Sequence, residues 1–301
     1  MTEKLLPSAT LIDGRAIAAQ LLDELRPRIE ALKKRGISPS LAAVLVGDDP
    51  ASSVYVATKE KTATKLGLKA EVIRSPATTT QRELESIVEE LNRRSDLNGY
   101  IIQSPLPDSI DEAALIERID PFRDIDGFHP YNVGLLTLGH GRLLPCTPAG
   151  IVELLVRSGF ETRGREIVIL GRGNIVGRPL SILLSLKGGH ADGTVTVCHS
   201  RTANLADHTR RADILILAMG TPATITGDMV KPGAVVIDVG VNRVADTSAE
   251  RGYRLVGDAD FESVSRVAGA ITPVPGGVGP MTVAMLMRNT VLATEMQHGV
   301  I

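Results

Sequence analysis

Tryptophan is absent from this 301-residue chain, and aromatic rings are limited to four phenylalanines and four tyrosines. So few rings exclude a base-stacking surface for single-stranded nucleic acid. An excess of positive charge is also lacking: 33 Lys and Arg face 35 Asp and Glu, a formal net charge of −2. No polyanion or anionic membrane is therefore an expected partner. The longest apolar runs, such as Ile214 to Met219 and Ala234 to Ile237, are far too short to span a bilayer. Cysteine occurs only at Cys146 and Cys198, with no C-x-x-C, so neither a disulfide framework nor a cysteine zinc site is expected. His129 and His140 have no partner at zinc spacing, and Asp124 and Asp126 lack the bidentate Glu of a calcium loop. No metal is expected. The N-terminal residues lack the basic-then-apolar layout of a secretory signal, and a reducing, cytoplasmic compartment is the expectation.

What is present is a regular alternation of strand-like and helix-like segments, the pattern of an α/β protein with largely parallel sheets. The length suits about two domains. In the first half, Ile17–Leu32 has helical periodicity and Leu41–Val46 reads as a strand. Asp49-Pro50 opens a helix to Leu66 that Gly67 stops, and Ala70–Ile73 is a strand. Thr80 and Glu83 form a capping box, as do Ser109 and Glu112 before a further helix. Tyr100–Ile102 is a strand ending at Gln103. Residues 121–146 have no clean period and read as a long functional loop. Thr147-Pro148 then starts a helix to about Ser158, and strands follow near 166–170, 194–198, 213–218, 234–239 and 269–272. Met281 to about Gln297 is helical.

The run Ile167–Leu170 feeds into Gly171-Arg172-Gly173-Asn174-Ile175-Val176-Gly177-Arg178-Pro179 and then an apolar helical stretch. Strand, glycine turn and helix start, in that order, present backbone N–H groups to a pyrophosphate. The spacing is one residue longer than the usual fingerprint, and glycine turns of this kind also occur without a nucleotide. After the next strand comes His199-Ser200-Arg201-Thr202, with no acid to hold a ribose 2′-hydroxyl. A hydroxyl and a guanidinium suit a 2′-phosphate, which favours NADP over NAD, with Arg172 within reach of the same group. The alternative is that Ser200 or Thr202 caps the next helix and Arg201 is a solvated charge.

Tyr55 and Lys59 are four residues apart and share one helix face. A ring beside an amine can stack a planar substrate and handle a proton. A helix that shows Lys59, Lys61 and Lys65 to water has the same pattern. Gln103 sits at the carboxyl end of a strand, where α/β sheets hold ligands; a simple strand-end turn fits equally well. Asp126 precedes Gly127, as a turn residue or as a carboxylate accepting two N–H bonds from an aminopyrimidine edge. Pro273-Val274-Pro275-Gly276-Gly277-Val278-Gly279-Pro280 suggests backbone brought close to a ligand, or a tight crossover between domains.

Taken together, Tyr55-x-x-x-Lys59, Gln103 before Pro-Leu-Pro, Asp126 to Asn132, Gly171 to Pro179 and Pro273 to Thr282 resemble the bifunctional methylenetetrahydrofolate dehydrogenase/cyclohydrolase family over essentially the whole chain. The resemblance implies an N-terminal α/β folate-binding catalytic domain and a C-terminal Rossmann domain, with a cleft between them. Residues 1–146, with a returning helix 282–301, would form the first and 147–281 the second. It implies NADP-dependent oxidation of 5,10-methylenetetrahydrofolate, then hydrolysis of the methenyl product to 10-formyltetrahydrofolate. Tyr55 would stack on the pterin, Asp126 would anchor its N–H groups, and Lys59 with Gln103 would serve the acid–base step. Pro275, Gly276 and Gly277 would touch the folate. NADP would lie on Gly171, Arg172, Gly173, Ile175, Val176 and Gly177, with Ser200 and Arg201 at the 2′-phosphate. A homodimer formed through the cofactor domain is implied as well. Two positions depart from the family pattern: Ser104 where Leu is common, and Gly173 where Ser is common. A shikimate-type NADP dehydrogenase and a non-catalytic NADP-binding module are the competing readings. The first does not explain the Pro273–Thr282 string and needs no stacking by Tyr55; the second predicts cofactor binding without turnover and no function for Lys59.

Overall fold

A computed structural model describes residues 9–249 and 252–301. The elements run in chain order β1 (Thr10–Leu11), α1 (Gly14–Lys34), β2 (Ser40–Val46), α2 (Pro50–Leu66), β3 (Lys69–Ser75), α3 (Gln81–Arg93), β4 (Gly99–Ile102), α4 (Glu112–Arg118), α5 (Pro130–Thr137) and α6 (Cys146–Arg157). They continue with β5 (Glu166–Leu170), α7 (Gly177–Ser185), β6 (Thr194–Cys198), α8 (Leu205–Thr209), β7 (Ile214–Leu217), β8 (Val235–Asp238), β9 (Asn242–Ala245), β10 (Tyr253–Val256), α9 (Phe261–Ser265), β11 (Ala270–Ile271) and α10 (Val278–Gln297). The chain divides into two compact units. One holds residues 19–146 and 283–301; the other holds described residues 9–18 and 147–282.

The first unit is built on a parallel sheet of order β3-β2-β4. Every residue of β2 is buried, as a central strand with both faces covered requires. Ala42, Val44 and Val46 of that strand pack with Leu84, Val88 and Leu91 of α3. Local chemistry sets the helix ends. Asp49 accepts the Ser52 N–H at the head of α2, and Gly67 ends it in the left-handed conformation at φ 89°. Thr80 and Glu83 close the capping box of α3 reciprocally. The second expected box does not form. A turn bonded from Ile110 N–H to Pro107 O delays α4, so Asp111 is its cap, and Glu112 instead accepts the Ser104 hydroxyl. The expected loop 121–146 contains α5, capped by His129. Its eight mostly apolar residues are too few to show a period.

The second unit carries a six-stranded, all-parallel sheet of order β6-β5-β7-β8-β11-β1. From β5 the chain steps outward to β6 and then returns to β7 on the other side. The carboxyl ends of β5 and β7 therefore form the switch point where such sheets bind ligands. β7 and β8 are buried throughout, and β5 beyond Glu166. Residues 9–18 were expected with the first domain. They belong here, because Thr10 and Leu11 pair with Ala270 and Ile271 to add the edge strand β1. An antiparallel hairpin, β9–β10, lies outside the main sheet.

Candidate active site

Within the first unit the α2 face bearing Val56, Lys59, Ala63 and Leu66 is buried. Lys59 is only 5% exposed, while Lys61 and Lys65 on the same helix face water. A buried amine needs partners. The Lys59 Nζ donates to Gln103 Oε1 at 3.0 Å and stands 5.1 Å from the centroid of the Tyr55 ring. Gln103 follows β4 directly; its backbone N–H bonds Val44 O, and its Nε2 donates to Ser104 O at 2.6 Å. That second bond turns the carboxamide oxygen toward the amine.

Asp126 joins this group. Burial pushes its carboxyl above the usual carboxylate range, and the positive charge of Lys59 offsets only part of that rise. The loop that carries it is organised by Asp124, which is buried and accepts the N–H groups of Gly127 and His129 and the Asn132 Nδ2 at 2.8–3.0 Å. Gly127 sits at φ 81°, and a Cβ there would lie 2.5 Å from the backbone of Leu144 and Pro145. From α10, Asn289 donates to the carbonyls of Ile125 and Leu144 at 2.9 and 2.8 Å. Burial raises the Cys146 thiol well above its ordinary range, with the Asp126 charge adding to it. Among the described residues no cluster of His, Cys, Asp and Glu could hold a metal ion.

The second unit supplies a phosphate cradle. Gly171 lies at φ 119°, and a Cβ there would sit 2.1 Å from Ala218 O. A Cβ at Gly177 would sit 2.0 Å from Gly171 O. These two glycines press the turn onto β7 and onto the head of α7. No side chain caps α7; Arg178 N–H bonds Gly173 O, Leu180 N–H bonds Val176 O and Pro179 has none, so what the helix head offers an anion is chiefly its dipole and the turn before it. Gly173 differs: nothing lies within 4 Å of its missing Cβ. Arg172, Gly173 and Ile175 are exposed, and Val176 is half-buried. Beyond β6, His199 N–H donates to Thr202 Oγ1 at 2.9 Å, and Arg201 N–H to His199 Nδ1 at 3.2 Å. Thr202 thus closes a turn rather than capping α8, whose first flanking residue is Asn204. Ser200 and Arg201 stay exposed at the tip. These features fit a dinucleotide with a 2′-phosphate. Pro275, Gly276 and Gly277 lie in this same unit, in a loop backed by the start of α1; a Cβ at Gly14 would meet Gly277 O at 1.8 Å.

Residues 12–126 match the model of the tetrahydrofolate dehydrogenase/cyclohydrolase catalytic domain, and residues 145–298 match that family's NAD(P)-binding domain. The chain belongs to the tetrahydrofolate dehydrogenase/cyclohydrolase family. A bifunctional protein FolD from Prosthecochloris aestuarii is 51% identical over 291 residues, covering 96% of this chain and 99% of the relative. The crystal structure of the bifunctional FolD enzyme from Campylobacter jejuni matches with a TM-score of 0.90 at 44% identity, covering 96% of this chain and all of the other. The Trypanosoma brucei FolD structure, complexed with NADP cofactor and inhibitor, matches at 0.92 and 41% identity, covering 97% and 99%.

For this dehydrogenase/cyclohydrolase chain, sequence reasoning passed over Asp124 and Asn289. Asp124 was visible two residues before Asp126, but only as a metal candidate. Asn289 carried no local signal at all, since its bonds reach back over 140 residues.

Proposed function

We propose that this chain oxidises 5,10-methylenetetrahydrofolate to the methenyl form with NADP and then hydrolyses that product to 10-formyltetrahydrofolate. The observation that carries the reading is the buried Lys59 amine, bonded to Gln103 beside the Tyr55 ring and within the field of Asp126. NADP, when bound, accepts the hydride that leaves the one-carbon bridge. The bridge lies between two nitrogens whose lone pairs stabilise the resulting cation, so this step chiefly needs orientation. Tyr55 stacks on the pterin, and the Asp126 carboxylate accepts N–H bonds from its aminopyrimidine edge. Water addition to the methenyl carbon then requires that a proton be moved. Lys59 Nζ, oriented by Gln103, takes it from the attacking water and returns it to N5 as the carbon–N5 bond opens, while the hydroxyl proton leaves to solvent and the formyl group stays on N10. Pro275, Gly276 and Gly277 are assigned to the folate as well.

Arg172, Ser200 and Arg201 are assigned to the 2′-phosphate, and the backbone of Gly171, Gly173, Ile175, Val176 and Gly177 to the pyrophosphate. Residues 19–146 form the body of the folate domain and 147–282 that of the cofactor domain. A homodimer through the cofactor domain is supported by β6, an edge strand with Val197 36% exposed. A cytoplasmic setting suits Cys146 and Cys198, both buried free thiols, and no helix among the described residues is long and apolar enough to cross a membrane.

Absorbance of methenyltetrahydrofolate formed from methylenetetrahydrofolate tests the reading. The expected result is formation with NADP, much less with NAD, followed by enzyme-accelerated decay. Cofactor binding without turnover would overturn it.

A further inference from the structure

Two buried carboxylates, Asp238 and Asp258, sit at the carboxyl end of the second unit's sheet. Asp238 ends β8, and Asp258 comes two residues after β10. Asp258 Oδ2 accepts the N–H groups of Met219 and Gly220 at 2.6 and 3.0 Å. Its Oδ1 accepts those of Thr221 and the Asn242 side chain at 3.0 and 2.9 Å. Asp238 holds Asp258 in turn, accepting the N–H groups of Gly240, Asp258 and Ala259 at 2.9, 3.0 and 2.8 Å. The two carboxylates leave no room for neighbours. A Cβ at Gly240 would lie 2.2 Å from Asp258 Oδ1, and one at Gly257 would lie 1.9 Å from Asp238 Oδ2.

All of these donors are neutral. An ion buried among neutral partners is a poor choice for stability compared with an apolar side chain of similar volume. Packing therefore does not account for the pair, but its position does. The segment that Asp258 grips begins one residue beyond Ala218, whose N–H bonds Leu170 O at 2.8 Å and whose carbonyl lies against Gly171. The loop after β7 thus stands beside the glycine turn at the switch point, where ligands bind. Gly220 to Thr224 are exposed on its outer side. With the N–H groups of residues 219–221 turned toward Asp258 and Thr221 O accepting the Thr224 hydroxyl at 3.2 Å, the backbone this stretch offers a ligand is the carbonyl oxygen of Met219 and Gly220, an acceptor for amide and hydroxyl donors.

We propose that Asp258 is a positioning residue for the dinucleotide: its carboxylate fixes residues 219–221 as a wall of the cofactor site beside Gly171, and Asp238 keeps Asp258 in place. The proposal rests on the assignment of the glycine turn to NADP.

The test is NADPH affinity, read by nicotinamide fluorescence on the full chain, for wild type and Asp258→Asn, together with both activities. The dissociation constant is expected to rise about tenfold or more, in line with the loss of charge-assisted bonds. Dehydrogenation should weaken through KM for NADP, while hydrolysis of methenyltetrahydrofolate stays within about twofold of wild type. A dissociation constant within about twofold of wild type overturns the proposal, as does an equal fall in both activities. Should Asp258→Asn fail to fold, Asn242→Ala decides: it removes one of the four donors and should raise the constant about threefold, and no change overturns the proposal. Wild type that binds NADPH without turnover refutes the proposed reaction but leaves the Asp258 result standing. Wild type that binds no NADPH refutes both.

Discussion

The Lys59 amine and the Gln103 carboxamide oxygen meet at 3.0 Å, and the carboxamide nitrogen is itself tied to Ser104 O. Gln103 therefore has one orientation, and that orientation points an acceptor at the amine. Gln103→Leu removes the acceptor while keeping the bulk. A hydrogen bond to a charged group is worth about 1.5–3 kcal/mol, so methenyltetrahydrofolate hydrolysis should fall roughly 10- to 100-fold. Steady-state hydrolysis rates check this; a rate within about twofold of wild type would show that Lys59 does not depend on Gln103.

Gly177 and Gly173 belong to the same turn but behave oppositely. A Cβ at Gly177 meets the Gly171 carbonyl at 2.0 Å, a backbone atom that cannot swing aside. Gly177→Ala should therefore displace the head of α7 and raise KM for NADP at least about tenfold. Gly173→Ser enters open space and adds a hydroxyl where a phosphate is expected. Its unfolding free energy should stay within about 0.5 kcal/mol of wild type, with NADP affinity equal or tighter. Calorimetry and NADP titration of both variants distinguish the two cases.

Arg201 lies exposed at the end of β6 with Ser200, where no acid stands. Arg201→Ala should lower kcat/KM with NADP about tenfold or more and leave kcat/KM with NAD within about twofold. Equal losses with both cofactors would place the 2′-phosphate elsewhere.

Asp238 links the cofactor unit to pH. Burial, with the Asp258 charge adding to it, lifts its carboxyl from the usual 3.8 to about 6. The folded chain thus keeps a proton between these values that the unfolded chain has released. The contribution to stability is full below about pH 4 and is lost as pH rises through about 6, by up to ~3 kcal/mol. Urea unfolding of wild type and Asp238→Asn from pH 4 to 7 should show a steeper fall in wild type, because Asp126 contributes equally to both. Parallel curves would contradict it.

The legible parts of the fold were those decided locally. β5, β7 and β8 are short apolar runs, and α2 and α3 carry their own caps at Asp49, Gly67 and Thr80. β1 was not legible, because two residues become a strand only through Ala270 and Ile271. Residues 9–18 consequently fell on the wrong side of the expected domain division. In the site, the residue types of Tyr55, Lys59, Gln103 and Asp126 were visible, but the burial of Lys59 was not. It lies on the face of Val56, Ala63 and Leu66, away from Lys61 and Lys65, but what lets an amine stay buried there is Gln103, 44 residues away. Asp124 and Asp258 act on donors that converge only in the folded chain, Asp258 on groups 16 to 39 residues away.

Lys59→Met is the most direct test, since it removes the amine and keeps most of the stem. Methenyltetrahydrofolate hydrolysis and NADP-dependent dehydrogenation are measured on the same folded variant. Hydrolysis should fall at least about 100-fold, the scale of a lost acid–base group. Water addition that survives while hydride transfer collapses would contradict the role assigned to Lys59.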